Sequence, residues 1–207
     1  MKTFFLTFIV FGFNFCTFVN AQLSIDSVFC NSKSVALGFL NVNARLDLLD
    51  YYNSNIQYAV ENDYKEKSAI SFKSEHLLQL KMTDVSKCEL LLLDGISNDS
   101  LYAVLHVIEK PIGFIQIEIR SANEQLVNKQ VIEPSINDVI DASMFTMEEL
   151  DLLTACGWTA TFSEEKSLLI VQPVLDNISL LLREKVQKGL SPISYYYNGN
   201  KYVSVEL

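Results

Sequence analysis

The feature that most constrains this fold is a series of strand-like segments joined by connections of only a few residues. The clearest strand alternates Ile115, Ile117 and Ile119 with polar residues, which is the period of a strand with one buried face. Parallel strands need long crossovers, so the short connections favour antiparallel pairing. The other predicted strands of this series are residues 76–82, 87–93 and 101–109. The sequence therefore predicts a mostly antiparallel β-sheet built from a meander and hairpins.

About three helices are predicted to flank these strands. The first covers residues 41–53, where apolar side chains recur at helical spacing behind an asparagine cap. The second begins at a capping box formed by Thr146 and Glu149. The third covers residues 177–188 and is stopped by a glycine. Runs of strands with a few flanking helices predict an α+β fold.

The second half of the chain adds two predicted hairpins. The first covers residues 158–172 and the second covers residues 195–205. The turn of the second hairpin is predicted at Asn198-Gly199, a dipeptide that is favoured in two-residue hairpin loops.

The terminal hairpin supplies the candidate binding surface. With a two-residue loop, Tyr195 lies opposite Tyr202 and on the same face as Tyr197. The aliphatic Val203 and Val205 indicate that the other face packs into the core. Tyr195, Tyr197 and Tyr202 are therefore predicted to form an exposed aromatic stripe that suits stacking on sugars or packing a peptide. The alternative is a hairpin covered on both sides.

The first 21 residues have the pattern of a signal peptide. Lys2 supplies the positive charge, residues 4–13 the apolar run, and Ala21 the small residue after which cleavage is expected. The alternative is an uncleaved anchor, but polar residues interrupt the run before it reaches the about 20 apolar residues of a membrane span. We expect a soluble chain that is periplasmic or extracellular. Residues 22–207 then form a single compact α+β unit, or two packed subdomains with a boundary near residues 134–145.

The charge balance limits the class of partner. The chain has 16 Lys and Arg against 25 Asp and Glu, a net charge of −9. This disfavours nucleic acid and anionic membrane surfaces as the main partner. After cleavage no segment is long enough to span a bilayer. A peptide, a glycan or an envelope protein remains as the expected partner, and the oligomeric state stays open.

The sequence contains no recognisable metal or cofactor motif. The cysteines left after cleavage are Cys30, Cys88 and Cys156, which allow one disulfide and a free thiol, or three free thiols. Zinc-binding spacings and glycine-rich phosphate loops are absent, so no metal and no cofactor is predicted. The histidines are His76 and His106, and the position of His106 in its strand favours a structural role.

Acidic residues are the remaining candidates for chemistry. Asp47 and Asp50 share a helical face, and residues 148–151 hold a second acidic cluster. Carboxylate pairs can hydrolyse glycosides, but solvated helix faces account for both groups. Residues 94–99 place several side chains that could bind calcium in one loop. They lack the spacing of a dedicated calcium site, which favours an ordinary turn. The nucleophile-elbow motif is also absent, and no catalytic residue is predicted.

Three segments carry a resemblance to a known family. They are the first-helix residues Asn43, Arg45, Asp47, Leu48, Asp50 and Tyr51, the strand pair at residues 75–93, and the closing segment at residues 192–203. The chain resembles an exported Bacteroidales family, domain of unknown function 3256, over nearly all of its mature length. It departs from the family before the first helix, where residues 31–40 lack the expected Pro-Asp-Ser-Leu type of run. The resemblance implies an envelope or secreted location and supplies no activity.

These observations favour a non-enzymatic, exported binding or envelope-associated module. The alternative is a hydrolase with acidic catalytic residues that acts on envelope or host glycans. A deep cleft with two inward carboxylates would favour the hydrolase, and an exposed aromatic patch would favour the binding module.

Overall fold

The structure is a computed structural model. It describes residues 23–93, 100–109, 113–163 and 168–205. Two predicted features lie outside the described residues, the signal peptide at residues 1–21 and the calcium-type loop at residues 94–99.

Two antiparallel sheets form the framework. The strands of the first sheet follow one another in chain order as β1 (Val60–Glu61), β2 (Lys67–Lys73), β3 (Leu77–Lys81), β4 (Ser86–Leu92), β5 (Leu101–Ile108), β6 (Phe114–Ser121) and β7 (Leu126–Ile132). The second sheet has the spatial order β11-β10-β9-β8, with β8 (Gly157–Ser163), β9 (Leu168–Val174), β10 (Ile193–Tyr197) and β11 (Tyr202–Ser204).

Four α-helices flank these sheets in the described part of the chain. They are α1 (Ile25–Asn31), α2 (Val42–Asn53), α3 (Met147–Thr154) and α4 (Leu180–Gly189). The predicted α+β class with mostly antiparallel sheet is confirmed. The prediction of about three helices missed α1, a helix of 7 residues capped by Ser24. So short a segment carries little helical periodicity in its sequence.

The first sheet lies in the middle of three layers. On one face, side chains such as Leu90 and Tyr102 pack in one core with those of α1 and α2. On the other face, Leu91 and Leu105 pack in a second core with the second sheet and α4. The division into one unit or two subdomains near residues 134–145 stays a prediction.

Strand β6 differs from the half-buried strand that its alternation predicted. Ile115, Ile117 and Ile119 are buried as expected, but the polar face of the strand is buried as well. On that face, the guanidinium of Arg120 donates to the carboxylate of Glu118 at 2.8 Å. Polar side chains tolerate burial when they bind one another, so alternation did not reveal the second covered face.

Side chains of the first sheet bind both edges of the second sheet. Glu89 accepts hydrogen bonds from the N–H of Phe162 at 2.8 Å and the hydroxyl of Thr161 at 2.9 Å, both on β8. At the opposite edge, the Gln130 amide donates to the carbonyl of Tyr202 at 2.9 Å and accepts from its N–H at 3.2 Å. These bonds satisfy backbone groups that a sheet edge leaves unpaired.

The capping box predicted for α3 is present, and both of its hydrogen bonds form. The helix ends at Thr154, and Gly157 opens β8. Helix α4 begins later than predicted, because Ser179 is its N-cap and accepts from the N–H of Leu182.

The terminal hairpin has a different register from the predicted one. Tyr197 pairs with Tyr202, and Tyr195 pairs with Ser204, so the loop contains residues 198–201. The side chain of Asn198 accepts from the backbone N–H groups inside that loop at 3.0 and 3.1 Å. An asparagine side chain that binds the backbone in this way stabilises a longer turn than the dipeptide predicted.

Candidate functional site: an aromatic groove beside the second helix

The C-terminal end of α2 turns the chain toward β1. Asn55 adopts a φ of 55°, which asparagine tolerates better than most residues. The N–H of Ile56 donates to the carbonyl of Tyr51 at 2.8 Å, and the N–H of Asn55 donates to the carbonyl of Tyr52 at 3.0 Å. This is a Schellman motif. It starts the irregular segment 56–59, which leads into β1.

A groove lies between the end of α2, the segment 56–59 and β2. Its volume is about 620 Å³, within the about 300–1,000 Å³ that is usual for small-ligand sites. We call it the Tyr58 groove and define it by its lining residues Leu48, Tyr52, Asn55, Ile56, Gln57, Tyr58, Ala59, Ala69, Ile70 and Ser71. All of these side chains are uncharged.

The aromatic rings at the groove are held in place by contacts with neighbouring residues. Tyr58 is 62% exposed, and its ring centroid lies 5.1 Å from that of Tyr51 at a tilt of 59°. The hydroxyl of Tyr52 accepts from the N–H of Lys73 on β2 at 3.1 Å. Rings that are already fixed lose little conformational entropy when a ligand binds.

Polar groups accompany these rings. Asn55 and Gln57 are exposed side-chain amides, each of which both donates and accepts hydrogen bonds. The hydroxyl of Ser71 donates to the carbonyl of Gln79 at 3.2 Å. The groove therefore combines aromatic surface with neutral polar groups that can orient a ligand.

The sequence patterns did not predict this groove. They predicted the helix that contains Tyr51 and Tyr52, but they indicated no role for Tyr58. The available signal was the asparagine just after the helix, since Asn at that position favours the left-handed cap that turns the chain.

Some residues of the family-like motif in α2 lie at the groove, and others lie in the core. Leu48 lines the groove, and Tyr51 packs against Tyr58. Arg45 is buried, and its guanidinium donates to backbone carbonyls of the α1–α2 segment. These bonds reach Leu37 at 2.7 Å, Ser32 and Leu40 at 2.8 Å, Phe29 at 3.2 Å and Cys30 at 3.4 Å. Burial lowers the pKa of Arg45, and its role is structural.

The prediction that the tyrosines of the terminal hairpin form an exposed stripe is wrong. Tyr197 is 6% and Tyr202 is 1% exposed, and Tyr195 packs partly buried against the same core. The three share a face, but that face points inward, where the Tyr202 ring lies 5.7 Å from those of Phe162 and Tyr197. The exposed ring of this strand is Tyr196. Both faces of the hairpin are apolar in sequence, so the pattern could not decide which one is covered.

The acidic groups singled out in the sequence have separate surroundings. Asp47, Asp50 and Glu148 are exposed on their helices. Glu149 closes the capping box of α3 and accepts from Lys185 at 2.6 Å. This lysine bond is the main reason that the pKa of Glu149 is lowered.

A second cavity, of about 280 Å³, is lined by three carboxylates to which sequence analysis assigned no role, Asp84, Glu89 and Glu109. Asp84 accepts from the ammonium of Lys81 at 2.7 Å. The hydroxyl of Thr159 donates to Glu109 at 2.6 Å. Glu89 binds the edge of β8 and lies 3.4 Å from the ammonium of Lys87. Glu89 and Glu109 therefore already have partners on β8.

The remaining titratable groups that the structure describes do not form a recognisable site. His106 is half-buried and lies edge-on to Phe114 at 6.2 Å. Burial lowers its pKa, and the charge of Glu118 opposes that shift. Cys30, Cys88 and Cys156 are free. Within the described ranges, no three His, Cys, Asp or Glu side chains are placed to hold a metal ion.

None of the helices in the described ranges is both long enough and apolar enough to cross a membrane.

Comparison with known proteins gives a family and a fold. The model of the family described as Protein of unknown function (DUF3256) matches residues 18–202. A solved structure is also similar, described as a domain of an uncharacterized protein from Porphyromonas gingivalis W83. The TM-score is 0.58 at 15% identity, and the match covers 86% of this chain and 97% of that chain. At this identity the likeness shows the fold alone. No curated protein matches the chain.

Proposed function

The chain belongs to the DUF3256 family of proteins of unknown function, and we propose that it is an exported, non-enzymatic module that binds its ligand in the Tyr58 groove. The observation that carries this proposal is the exposed, pre-positioned aromatic surface of the groove. Tyr58 is mostly exposed, although its ring packs against Tyr51. Tyrosine supplies a large contact area at low entropic cost, which is why it is frequent in binding surfaces.

The groove is suited to binding a ligand rather than to catalysis. Its lining residues lack carboxylates, imidazoles, thiols and amines, the groups that perform most acid–base and nucleophilic catalysis. Its rings and amides are suited to hold a ligand. This composition supports a binding module rather than an enzyme that acts in this groove.

The alternative function, hydrolysis by acidic residues, has one observation in its favour. Glu89 and Glu109 line the same cavity, and a pair of carboxylates can hydrolyse a glycosidic bond. Against it, Glu89 binds the Phe162 N–H, the Thr161 hydroxyl and the Lys87 ammonium. A carboxylate that holds two sheets together is poorly placed to take up a substrate.

A screen of the mature chain tests the binding function. The probes are an array of defined oligosaccharides and a display library of random linear peptides. We expect at least one probe to bind, and Tyr58→Ser to weaken that binding about tenfold or more. The matched control is Tyr196→Ser, which removes an exposed tyrosine from β10. If no probe depends on Tyr58, the proposed binding function is wrong.

The same material tests the hydrolase alternative. Each oligosaccharide that binds is incubated with the protein and analysed by mass spectrometry for cleavage products. The binding module predicts intact ligand. Cleavage that is abolished by Glu109→Gln, with unfolding unchanged, would establish the hydrolase instead.

Export is the other part of the proposal. The first 21 residues have the pattern of a signal peptide that ends at Ala21. Expression in a Bacteroidales host, followed by fractionation and N-terminal sequencing, should give a periplasmic or extracellular chain that begins at Gln22. A retained Met1 in the cytoplasmic or membrane fraction would contradict export.

A further inference from the structure

We infer that the ligand of the Tyr58 groove is a neutral oligosaccharide. This inference rests on the proposed function, because it names the chemical class of the ligand of that same site. It is carried by the charge of the groove, by the arrangement of its rings and amides, and by the adjacent edge of β2.

The charge of the groove favours a neutral ligand. Each of its lining residues is uncharged, although the chain as a whole has a net charge of −9. An anionic ligand would meet the repulsion of the whole protein without a cation in the lining to bind it. A cationic ligand would find no carboxylate there. Desolvating an unpaired charge is costly, so the groove discriminates against both.

The rings and amides together match the two kinds of surface on a sugar. A pyranose ring presents an apolar face of C–H groups and a rim of hydroxyls. Tyr58 and Tyr52 offer aromatic surface. Asn55 and Gln57 offer amides that donate and accept, as each hydroxyl of the rim does. A purely apolar ligand would leave these amides without partners, which costs binding energy.

A peptide added as a strand is less well accommodated. The outer edge of β2 is open beyond β1, since β1 pairs only with Lys67 and Ser68. However, the register of β2 shifts between Ile70 and Phe72, and such bulges twist an edge away from further pairing. Lys73 already donates its N–H to Tyr52. The edge therefore lacks the uninterrupted row of free backbone groups that strand addition uses.

The experiment compares sugars that differ mainly in charge. Chitin oligosaccharides and their deacetylated counterparts share a backbone, but the first are neutral and the second cationic. Neutral cello-, xylo- and manno-oligosaccharides and anionic oligogalacturonate complete the set. Calorimetry on the mature chain should detect binding of at least one neutral oligosaccharide, and affinities for charged ones at least about tenfold weaker.

Variants locate the sugar in the groove. Tyr58→Ser should weaken binding about tenfold, whereas Tyr196→Ser should leave it unchanged. Asn55→Gly removes the amide but tolerates the positive φ. It should weaken binding about fivefold without lowering the unfolding midpoint. Gln57→Glu introduces a carboxylate and should shift preference toward the deacetylated, cationic sugars.

The outcomes separate this inference from the proposed function. If only random peptides or only charged sugars bind, and do so through Tyr58, the neutral-oligosaccharide inference is overturned and the binding function stands. If a neutral sugar binds but Tyr58→Ser has no effect, the assignment to this groove is overturned. If nothing binds through Tyr58, both are overturned.

Discussion

Arg45 shows how a single buried residue can organise a segment with little regular structure. Its hydrogen bonds reach carbonyls between Phe29 and Leu40, the stretch that joins α1 to α2. Backbone carbonyls in a covered loop need donors, and one planar guanidinium supplies several at once. In sequence, Arg45 belongs to the family-like helix motif, which does not indicate whether its side chain is exposed. Only the fold reveals that it is buried.

Replacing Arg45 should therefore cost stability rather than binding. Arg45→Met leaves buried carbonyls without donors, and we expect a loss of about 3 kcal/mol in the free energy of unfolding. The matched control is Arg183→Met, whose partly buried guanidinium donates to the carbonyls of Leu175 and Asp176. Its expected cost is about 1 kcal/mol. Urea denaturation measures both, and equal costs would contradict the role assigned to Arg45.

His106 makes stability depend on pH. Burial lowers its folded-state pKa below the ordinary value of 6.5. At a pH between the folded-state pKa and the ordinary value of 6.5, the unfolded chain binds more protons than the folded one. Stability therefore falls as the pH falls through this window. Relative to His106→Gln, the wild-type protein should lose stability on acidification below pH 6.5. Denaturation curves of both proteins across that pH test this, and parallel stability profiles would contradict it.

At the scale of elements, the sequence predicts strands and helices best where they bury a regular pattern. Helix α2 and strands β3 to β6 match their predictions within a few residues. Strands β1, β2 and β7 were missed, because they lie toward the edges of the sheet and bury few of their side chains. A strand that buries little has no clear alternation in its sequence.

Gln130 links the two sheets through one amide, and this gives an element-scale prediction. Gln130→Met keeps the length of the side chain but removes both bonds to Tyr202. We expect a loss of about 1–2 kcal/mol in the free energy of unfolding and faster hydrogen exchange at the Tyr202 amide. Gln125→Met, an exposed glutamine in the turn before β7, is the control. Unchanged exchange at Tyr202 would contradict this link.

The candidate site was less predictable than the fold, because it depends on the whole molecule. The Tyr58 groove needs a helix end, an irregular segment and a strand to come together. The exposure predicted for Tyr195, Tyr197 and Tyr202 failed for the same reason. Whether a hairpin face is covered depends on the first sheet, which is distant in sequence. A local pattern specifies which residues share a face, but it does not specify what packs on that face.

The reactivity of the three cysteine thiols measures how readily the folded molecule opens. Cys88 is 1% exposed beneath the helix layer, whereas Cys30 and Cys156 are only half-buried. Burial raises the pKa of each thiol, most strongly at Cys88. Because the thiolate is the reactive form, Cys88 should react with a thiol reagent only as fast as the core opens.

Labelling under native conditions, with mass spectrometry of each site, should show Cys30 and Cys156 reacting well before Cys88. Mild denaturant should accelerate the Cys88 reaction in proportion to the unfolded population. The denatured, unreduced mature chain should contain three free thiols, since all three cysteines are free in the fold. A Cys88 that reacts as fast as Cys156 would show that the helix layer opens independently of the sheets. A single free thiol would show that a disulfide forms.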